Sequence, residues 1–228
     1  MTVYGALVGA SGLSASHTLL LDAVPDGARV LDVGCAEGYL AGELVARGCD
    51  VVGLEGDPAA AGVAALTCSA VISGDVEDPS VRAQVPSAPL YDRVLFGDVL
   101  EHLRDPGAVL RWASTLLAPE GRAVVSLPNI GHWTARRAVV RGRFPQEDHG
   151  LFDRTHLRFF TRETARALVQ DAGYVVEDER FTPAPLPLES RVSALGRLGP
   201  TLVRRRPELF ALQIVLTCRP AVHRRAEP

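Results

Sequence analysis

The feature that most restricts this chain is a rhythm in its first 130 residues, where five short β-branched runs alternate with stretches of helical spacing. "ARVLDVG", "CDVVGLEG", "SAVISGD", "YDRVLFGD" and "GRAVVSLPN" have the composition of strands, and four of them stop at a glycine or a carboxylate. Between the first two, "LAGELVARG" has helical spacing with Gly48 as its stop, and Pro58–Leu66 and Gly107–Leu117 supply further helices. Strands joined through helices pair in parallel, because a parallel crossover needs a dozen or more residues and its helix then covers the sheet. The expected fold is therefore α/β, a mostly parallel, doubly wound sheet with helices on both faces. In such sheets a ligand lies outside the carboxyl ends of the strands, at the switch point beside the first one.

Past Pro128 the rhythm breaks. "NIGHWTARRAVVRGRFPQEDHGLFDRTHLRFF" is mixed, aromatic and rich in Arg and His, and it reads as a loop with short helices, long enough to form a lid over residues 131–160. "TRETARALVQDAG" follows with N-cap Thr161, an apolar face and a terminal Gly173, and "YVVEDERF" and "LFALQIVLTCR" read as two closing strands within 161–219. A Pro-rich link and the segment Glu189–Arg206 lie between those strands, and Leu195–Leu202 is apolar enough to pack on a partner or on its own sheet. Monomer and homodimer therefore both stay open. Ala221–Pro228 reads as a frayed basic tail.

With 228 residues, 47% of them hydrophobic, the chain reads as one domain over 1–228 with its core at about 28–130. No apolar run approaches the ~20 residues of a membrane span, and the N-terminus has no basic or apolar leader pattern. A soluble cytoplasmic protein is expected. Cys35, Cys49, Cys68 and Cys218 form no C-x-x-C pair and read as buried free thiols rather than a disulfide framework or zinc site.

The strand ends carry the chemistry. The first runs into Asp32-Val33-Gly34-Cys35-Ala36-Glu37-Gly38, a loop whose glycines permit positive φ and close backbone approach to a ligand. Its D-x-G-x-A-x-G spacing differs from the G-x-G-x-x-G of dinucleotide sites. It resembles motif I of the class I S-adenosylmethionine-dependent methyltransferases, with Ala36 in place of the usual middle glycine. The stretch "FGDVLEHLRDP" is similar to the segment after the fourth strand in ubiquinone-type methyltransferases, so the resemblance covers about residues 28–130.

That resemblance implies a Rossmann-like class I methyltransferase fold with seven strands, mostly parallel, the last antiparallel. It implies S-adenosylmethionine as cofactor, with Asp32, Gly34, Cys35, Ala36 and Gly38 facing its amino-acid end. Glu55, with Gly56 beside it, would accept from the ribose hydroxyls. Asp75 and the Val76 amide would read the adenine edge, while Asp98, Val99 and His102 wall the cofactor. Taken singly, these acids also fit helix caps or turn residues.

The methyl acceptor is expected to be an oxygen, ahead of a nitrogen or carbon, of a small metabolite such as a natural product, sugar or quinone-like acceptor, and an oxygen needs a general base from outside these motifs. The segment "FPQEDHGLFDRTHLRFFT" resembles one found in small-molecule and glycan-linked bacterial methyltransferases. It offers His149 or His156 as base and Asp153 to orient it, with Phe144, Phe152, Phe159 and Phe160 shaping the pocket. His156 and Asp153 equally fit a structural role in holding the loop. His149, Asp153 and His156 are too common a combination to mark a metal site, and no metal is expected.

All 24 basic residues are Arg, 4 of them in residues 1–100 against 13 acids, and 20 in 101–228 against 14 acids. Arg136, Arg137, Arg141 and Arg143 flank the apolar "AVV", a basic face that is either solvated or suited to an acidic or phosphorylated acceptor. A net charge of -3 with no separate binding module argues against nucleic acid as partner. Two other functions fit this pattern: a nicotinamide-dependent oxidoreductase, which the missing G-x-G-x-x-G opposes, and a non-catalytic module keeping the cofactor fold for regulation or assembly.

Overall fold

The computed structural model describes residues 13–183 and 199–221. Seven strands form one sheet: β1 (Arg29–Val33), β2 (Asp50–Glu55), β3 (Ala70–Ser73), β4 (Tyr91–Gly97), β5 (Leu117–Pro128), β6 (Tyr174–Pro183) and β7 (Ala211–Pro220). Their order across the sheet is β3-β2-β1-β4-β5-β7-β6. Pairings from β3 through β5 are parallel, and β7 runs antiparallel to both of its neighbours. This is the expected topology, with the chain reversing direction across the sheet between β1 and β4. The carboxyl ends of those two strands therefore flank the switch-point crevice.

Alternation along the strands separates two apolar layers. Leu31, Val33, Val52, Leu54, Val94 and Phe96 point to one face, where α5 (Pro106–Ser114) and α7 (Arg162–Asp171) cover them with Val109, Leu110, Ala165 and Val169. Val30, Val51, Leu95 and Val124 point to the other, under α1 (Ala15–Asp22), α2 (Tyr39–Ala46) and α3 (Pro58–Ala64). Both layers are nearly solvent-free, and burying each such side chain contributes roughly 1.5–3 kcal/mol. The helix limits follow their caps: Thr161 starts α7 with a capping box, and Gly173 at φ 88° ends it.

The remaining described helices are short: α4 (Pro79–Arg82), α6 (Trp133–Val140), α8 (Gly199–Arg205) and α9 (Pro207–Phe210), plus a 3-10 turn at Leu100–His102. The first helix, α1, has no counterpart among the sequence expectations. Its apolar signal is weak, and what defines it is Ser14 capping His17 N while the His17 ring accepts from Ser14 N. The Pro-rich link, Leu195 and most of the basic tail lie outside the described residues.

Candidate functional site

The β1–α2 loop is shaped by two glycines at which a side chain would be strained. Gly34 has φ 74°, and a Cβ there would sit 2.2 Å from Val99 Cγ2. Gly38 has φ 79°, caps α2, and would press a Cβ to 3.1 Å from the Ala64 Cα. Gly34 N and Cys35 N both donate to Leu54 O, at 2.7 and 3.2 Å, which ties the loop to the end of β2. Between the glycines Ala36 also takes positive φ, 47°, at a cost of roughly 1–2 kcal/mol for a residue with a Cβ. Its amide donates to Glu55 Oε2 at 2.8 Å, and a hydrogen bond to a charged group is worth about 1.5–3 kcal/mol, enough to offset that strain.

Glu55 thereby acts as a brace as well as a cavity wall. Its Oε1 accepts from Asp57 N at 2.8 Å, and each carboxylate oxygen keeps further lone-pair capacity for a ligand. Asp32 lies beneath the loop, 2% exposed, with Oδ2 lacking a partner among the described residues. Burial, reinforced by the Glu55 charge, pushes its carboxyl up to about 7.

A cavity of about 400 Å3 opens at these strand ends. Gly34, Ala36, Glu55 and Gly56 form one side of it, Asp75 and Val76 the outer end, and Asp98, Val99 and His102 the side from β4. Three residues expected at the ligand do not line it: Asp32, Cys35 and Gly38. The Cys35 thiol instead packs against the sheet, so close to Gly53 that a Cβ there would lie 2.6 Å from the sulfur. Asp75 is exposed, accepting from Glu77 N at 2.8 Å and pairing with Arg104 at 3.2 Å.

Asp98 repeats the strained geometry, with φ 55°. Ser126 Oγ donates to its Oδ1 at 2.7 Å and Gln213 Nε2 to its Oδ2 at 3.2 Å. Burial nonetheless keeps this carboxyl above its ordinary range, against the Ser126 hydroxyl and the nearby rings of His17 and His102. His17 lines the same cavity from α1, and burial lowers its imidazole against the pull of Asp98. Sequence reading passed over His17, because nothing in "ASHTLLLD" marks a helix that reaches back to the switch point; the Ser14-x-x-His17 spacing was the one available signal.

The lid segment meets the cavity at His102. Leu157 N and Arg158 N both donate to Glu101 O, at 2.9 and 3.0 Å, pinning the segment to the turn after β4. Asp153, 3% exposed, accepts at one oxygen from Thr155 N at 2.8 Å and Thr155 Oγ1 at 2.6 Å. Burial would raise this carboxyl, yet the Thr155 hydroxyl and amide and the neighbouring imidazoles hold it below the usual range. An ionised Asp153 must accept, so the Thr155 hydroxyl spends its proton there. His102 Nδ1, 3.1 Å from that hydroxyl oxygen and 3.2 Å from Thr155 O, is then assigned as the donor. This leaves Nε2 as the His102 ring nitrogen able to accept.

His156 packs edge-on against His102, with ring centroids 4.8 Å apart, and its Nε2 lies 3.9 Å from Glu101 Oε1. Burial and the neighbouring His102 depress the His156 imidazole, and burial and Asp98 raise Glu101 well above its ordinary range. Glu101, His102 and His156 bring one ligand atom each within 4.8 Å of one another. Holding a cation there would require Glu101 to ionise, which its burial opposes. His149 is separate from all of this: it is exposed and does not line the cavity. The structure thus joins Asp153 and His156 to His102, and leaves His149 apart.

Comparison with known proteins bears on the family and the fold. A methyltransferase-domain family model matches residues 11–179. The ubiquinone biosynthesis O-methyltransferase of Xanthomonas axonopodis pv. citri (strain 306) is 30% identical over 161 residues, 68% of this chain and 65% of that protein. The one from Aeromonas salmonicida (strain A449) is 27% identical over 154 residues, 67% of this chain and 65% of that protein. The chain thus spans just under two thirds of the length of these relatives. The crystal structure of magnesium protoporphyrin IX methyltransferase from Synechocystis PCC 6803 with bound SAH superimposes with a TM-score of 0.61 at 17% identity, covering 95% of this chain and 92% of that one, a likeness of fold. Among the described residues no helix is long and apolar enough to cross a membrane.

Proposed function

The chain belongs to the S-adenosylmethionine-dependent methyltransferase family, and we propose that it moves a methyl group from this cofactor to an oxygen of a small metabolite. The carrying observation is the cavity at the switch point, where the glycine loop, Glu55 and Asp98 converge from three strand ends. Its volume of about 400 Å3 falls within the ~300–1,000 Å3 of small-molecule sites, and Glu55 faces it with lone pairs to spare. S-adenosylmethionine, when bound, supplies a methyl already activated by its sulfonium.

In this reading Glu55 accepts from the ribose hydroxyls, Asp75 and the Val76 amide read the adenine edge, and Gly34, Ala36 and Asp98 face the amino-acid end. Cys35 and Gly38 support the loop from beneath. His102 lines the cavity and takes the proton of the acceptor hydroxyl on Nε2, while Thr155, held by Asp153, fixes the ring through Nδ1. A base so placed contributes ~10²–10⁴-fold. His156 packs against it as a neutral neighbour. The oxygen as acceptor atom is supported by the naming of the relatives as O-methyltransferases.

Calorimetric titration with S-adenosylmethionine, S-adenosylhomocysteine and NAD tests the cofactor, with Glu55→Ala as control. Binding of both sulfur nucleosides, lost in the control, is the expected result; binding of NAD alone would end this reading. An acceptor screen on the loaded protein follows, read by S-adenosylhomocysteine release.

A further inference from the structure

Outside the cavity, the lid segment forms a second concavity of about 600 Å3, lined by Thr134, Arg137, Arg141, Arg143 and Phe144 with Ala138 and Pro145. Its shape follows from the end of α6. Gly142 at φ 68° lets its amide reach Val139 O at 2.8 Å and the Arg143 amide reach Ala138 O at 2.9 Å, which folds Arg143 back beside Arg137 and Arg141. No carboxylate lines the groove, and none of the three guanidiniums has an ion pair or side-chain hydrogen bond among the described residues. Elsewhere the chain spends its arginines differently: Arg29, Arg47, Arg104, Arg122, Arg162 and Arg219 each hold a carboxylate. Arg136, on the same helix, is tied to Gly131 O at 2.6 Å. The nearest acid in sequence that forms an ion pair, Asp148, is engaged by Arg154 at 2.6 Å, and neither lines the groove.

Three planar forks with no ion pair among the described residues, and a hydroxyl, around one concavity match a phosphoryl group, whose two negative charges and several acceptor oxygens suit more than one guanidinium. A series of ring contacts lies between the groove and the cavity. Phe144 stands edge-on to Phe159 at 5.2 Å, Phe159 to His156 at 6.1 Å, and His156 to His102 at 4.8 Å. These packed rings run from Phe144 at the groove to the His102 ring at the cavity.

We infer that the methyl acceptor is a phosphorylated small molecule whose phosphoryl group is held by Arg137, Arg141 and Arg143 in the groove at the end of α6 while its hydroxyl reaches His102. This rests on the methyl-transfer reading above. Solvated arginines that merely suit the negative end of a helix would give no saturable anion site.

The test uses the full chain saturated with S-adenosylhomocysteine, titrated calorimetrically with pyrophosphate, inorganic phosphate and acetate at constant ionic strength. The expected result is saturable pyrophosphate binding, tighter than phosphate and absent for acetate. It weakens at least ~10-fold in Arg137→Gln/Arg141→Gln and in Arg141→Glu alone, with S-adenosylhomocysteine affinity kept. Pyrophosphate heats no larger than those of sodium chloride, or binding unchanged in both variants, overturns the inference and leaves the cofactor reading standing. Loss of S-adenosylhomocysteine binding by the native chain overturns both. A parallel arm measures co-sedimentation with phosphatidylglycerol vesicles: capture by vesicles without binding of free pyrophosphate assigns the groove to a lipid surface and refutes a soluble phosphorylated acceptor.

Discussion

Replacing Asp32 by Asn should stabilise the ligand-free protein, and the gain should depend on pH in a defined way. The Asp32 carboxyl is 2% exposed and stands at about 7 in the fold against 3.8 in an open chain, through burial first and the Glu55 charge second. Below pH 3.8 both states carry the proton, and the group costs nothing. Between 3.8 and about 7 the unfolded chain ionises while the folded one does not, so stability falls as pH rises. At ~1.36 kcal/mol per unit the accumulated loss is roughly 4 kcal/mol, complete above pH 7. Asn removes the titration and keeps the shape. Urea unfolding of the native chain and Asp32→Asn at half-unit steps from pH 4.5 to 8.5 should give stability curves that diverge by several kcal/mol and then run parallel above pH 7. Curves parallel throughout, or a native chain more stable than the variant at pH 8, would refute the placement of a neutral carboxyl under the loop.

Three more outcomes follow from the same geometry. A cationic ligand in the cavity over the loop that covers Asp32 favours its ionised form, so S-adenosylmethionine should bind more tightly as pH rises through about 7, with proton release visible as buffer-dependent binding enthalpy; a pH-independent affinity between 6 and 8 would contradict this. Gly34→Ala drives a Cβ to 2.2 Å from Val99 Cγ2, and should cost roughly 1–3 kcal/mol in thermal unfolding and most S-adenosylhomocysteine affinity; Gly34→Ala/Val99→Ala should recover part of the stability, and no recovery would show that the clash is not the cause. His102→Ala should lower turnover on any acceptor by ~10²–10⁴-fold with cofactor affinity within a few-fold, while His149→Ala leaves turnover unchanged; the opposite ranking would return His149 to the role of base.

The sheet was legible because each strand announces itself locally: "RVLDV" and "DVVGLE" combine β-branched residues with a stop, and the parallel order follows from the helices between them. Glu55, Asp75 and Asp98 were legible for the same reason, since a residue at a strand end is placed by the strand. His102 was read as a wall and Thr155 was not read at all, because their importance arises from the lid folding back over the turn after β4. The Asp153-x-Thr155 spacing is a local turn signal, but its contact with His102 spans 53 residues. His149 shared the lid's composition with His156, and only the fold separates an exposed ring from one packed on the cavity wall. Cys35 was misplaced through a single fact that sequence does not give, namely that its thiol fits only where Gly53 leaves space.

The two amides of Leu157 and Arg158 on the Glu101 carbonyl, with the Arg158 guanidinium on Leu103 O at 3.3 Å, divide the lid into unequal parts. Residues 153–158 are fastened to the turn that carries Asp98 and His102, whereas α6 is anchored separately, Ala135 packing with Leu151 and Phe152 against Ile130 and Leu212, and leaves Arg137 exposed. For anyone grafting acceptor preference between relatives, this marks the seam. A chimera that exchanges 133–152 as one piece keeps Ala135 on Leu151 and Phe152 and leaves the turn that aligns His102 intact, and one cut inside 153–158 separates a part from the bolt that aligns it.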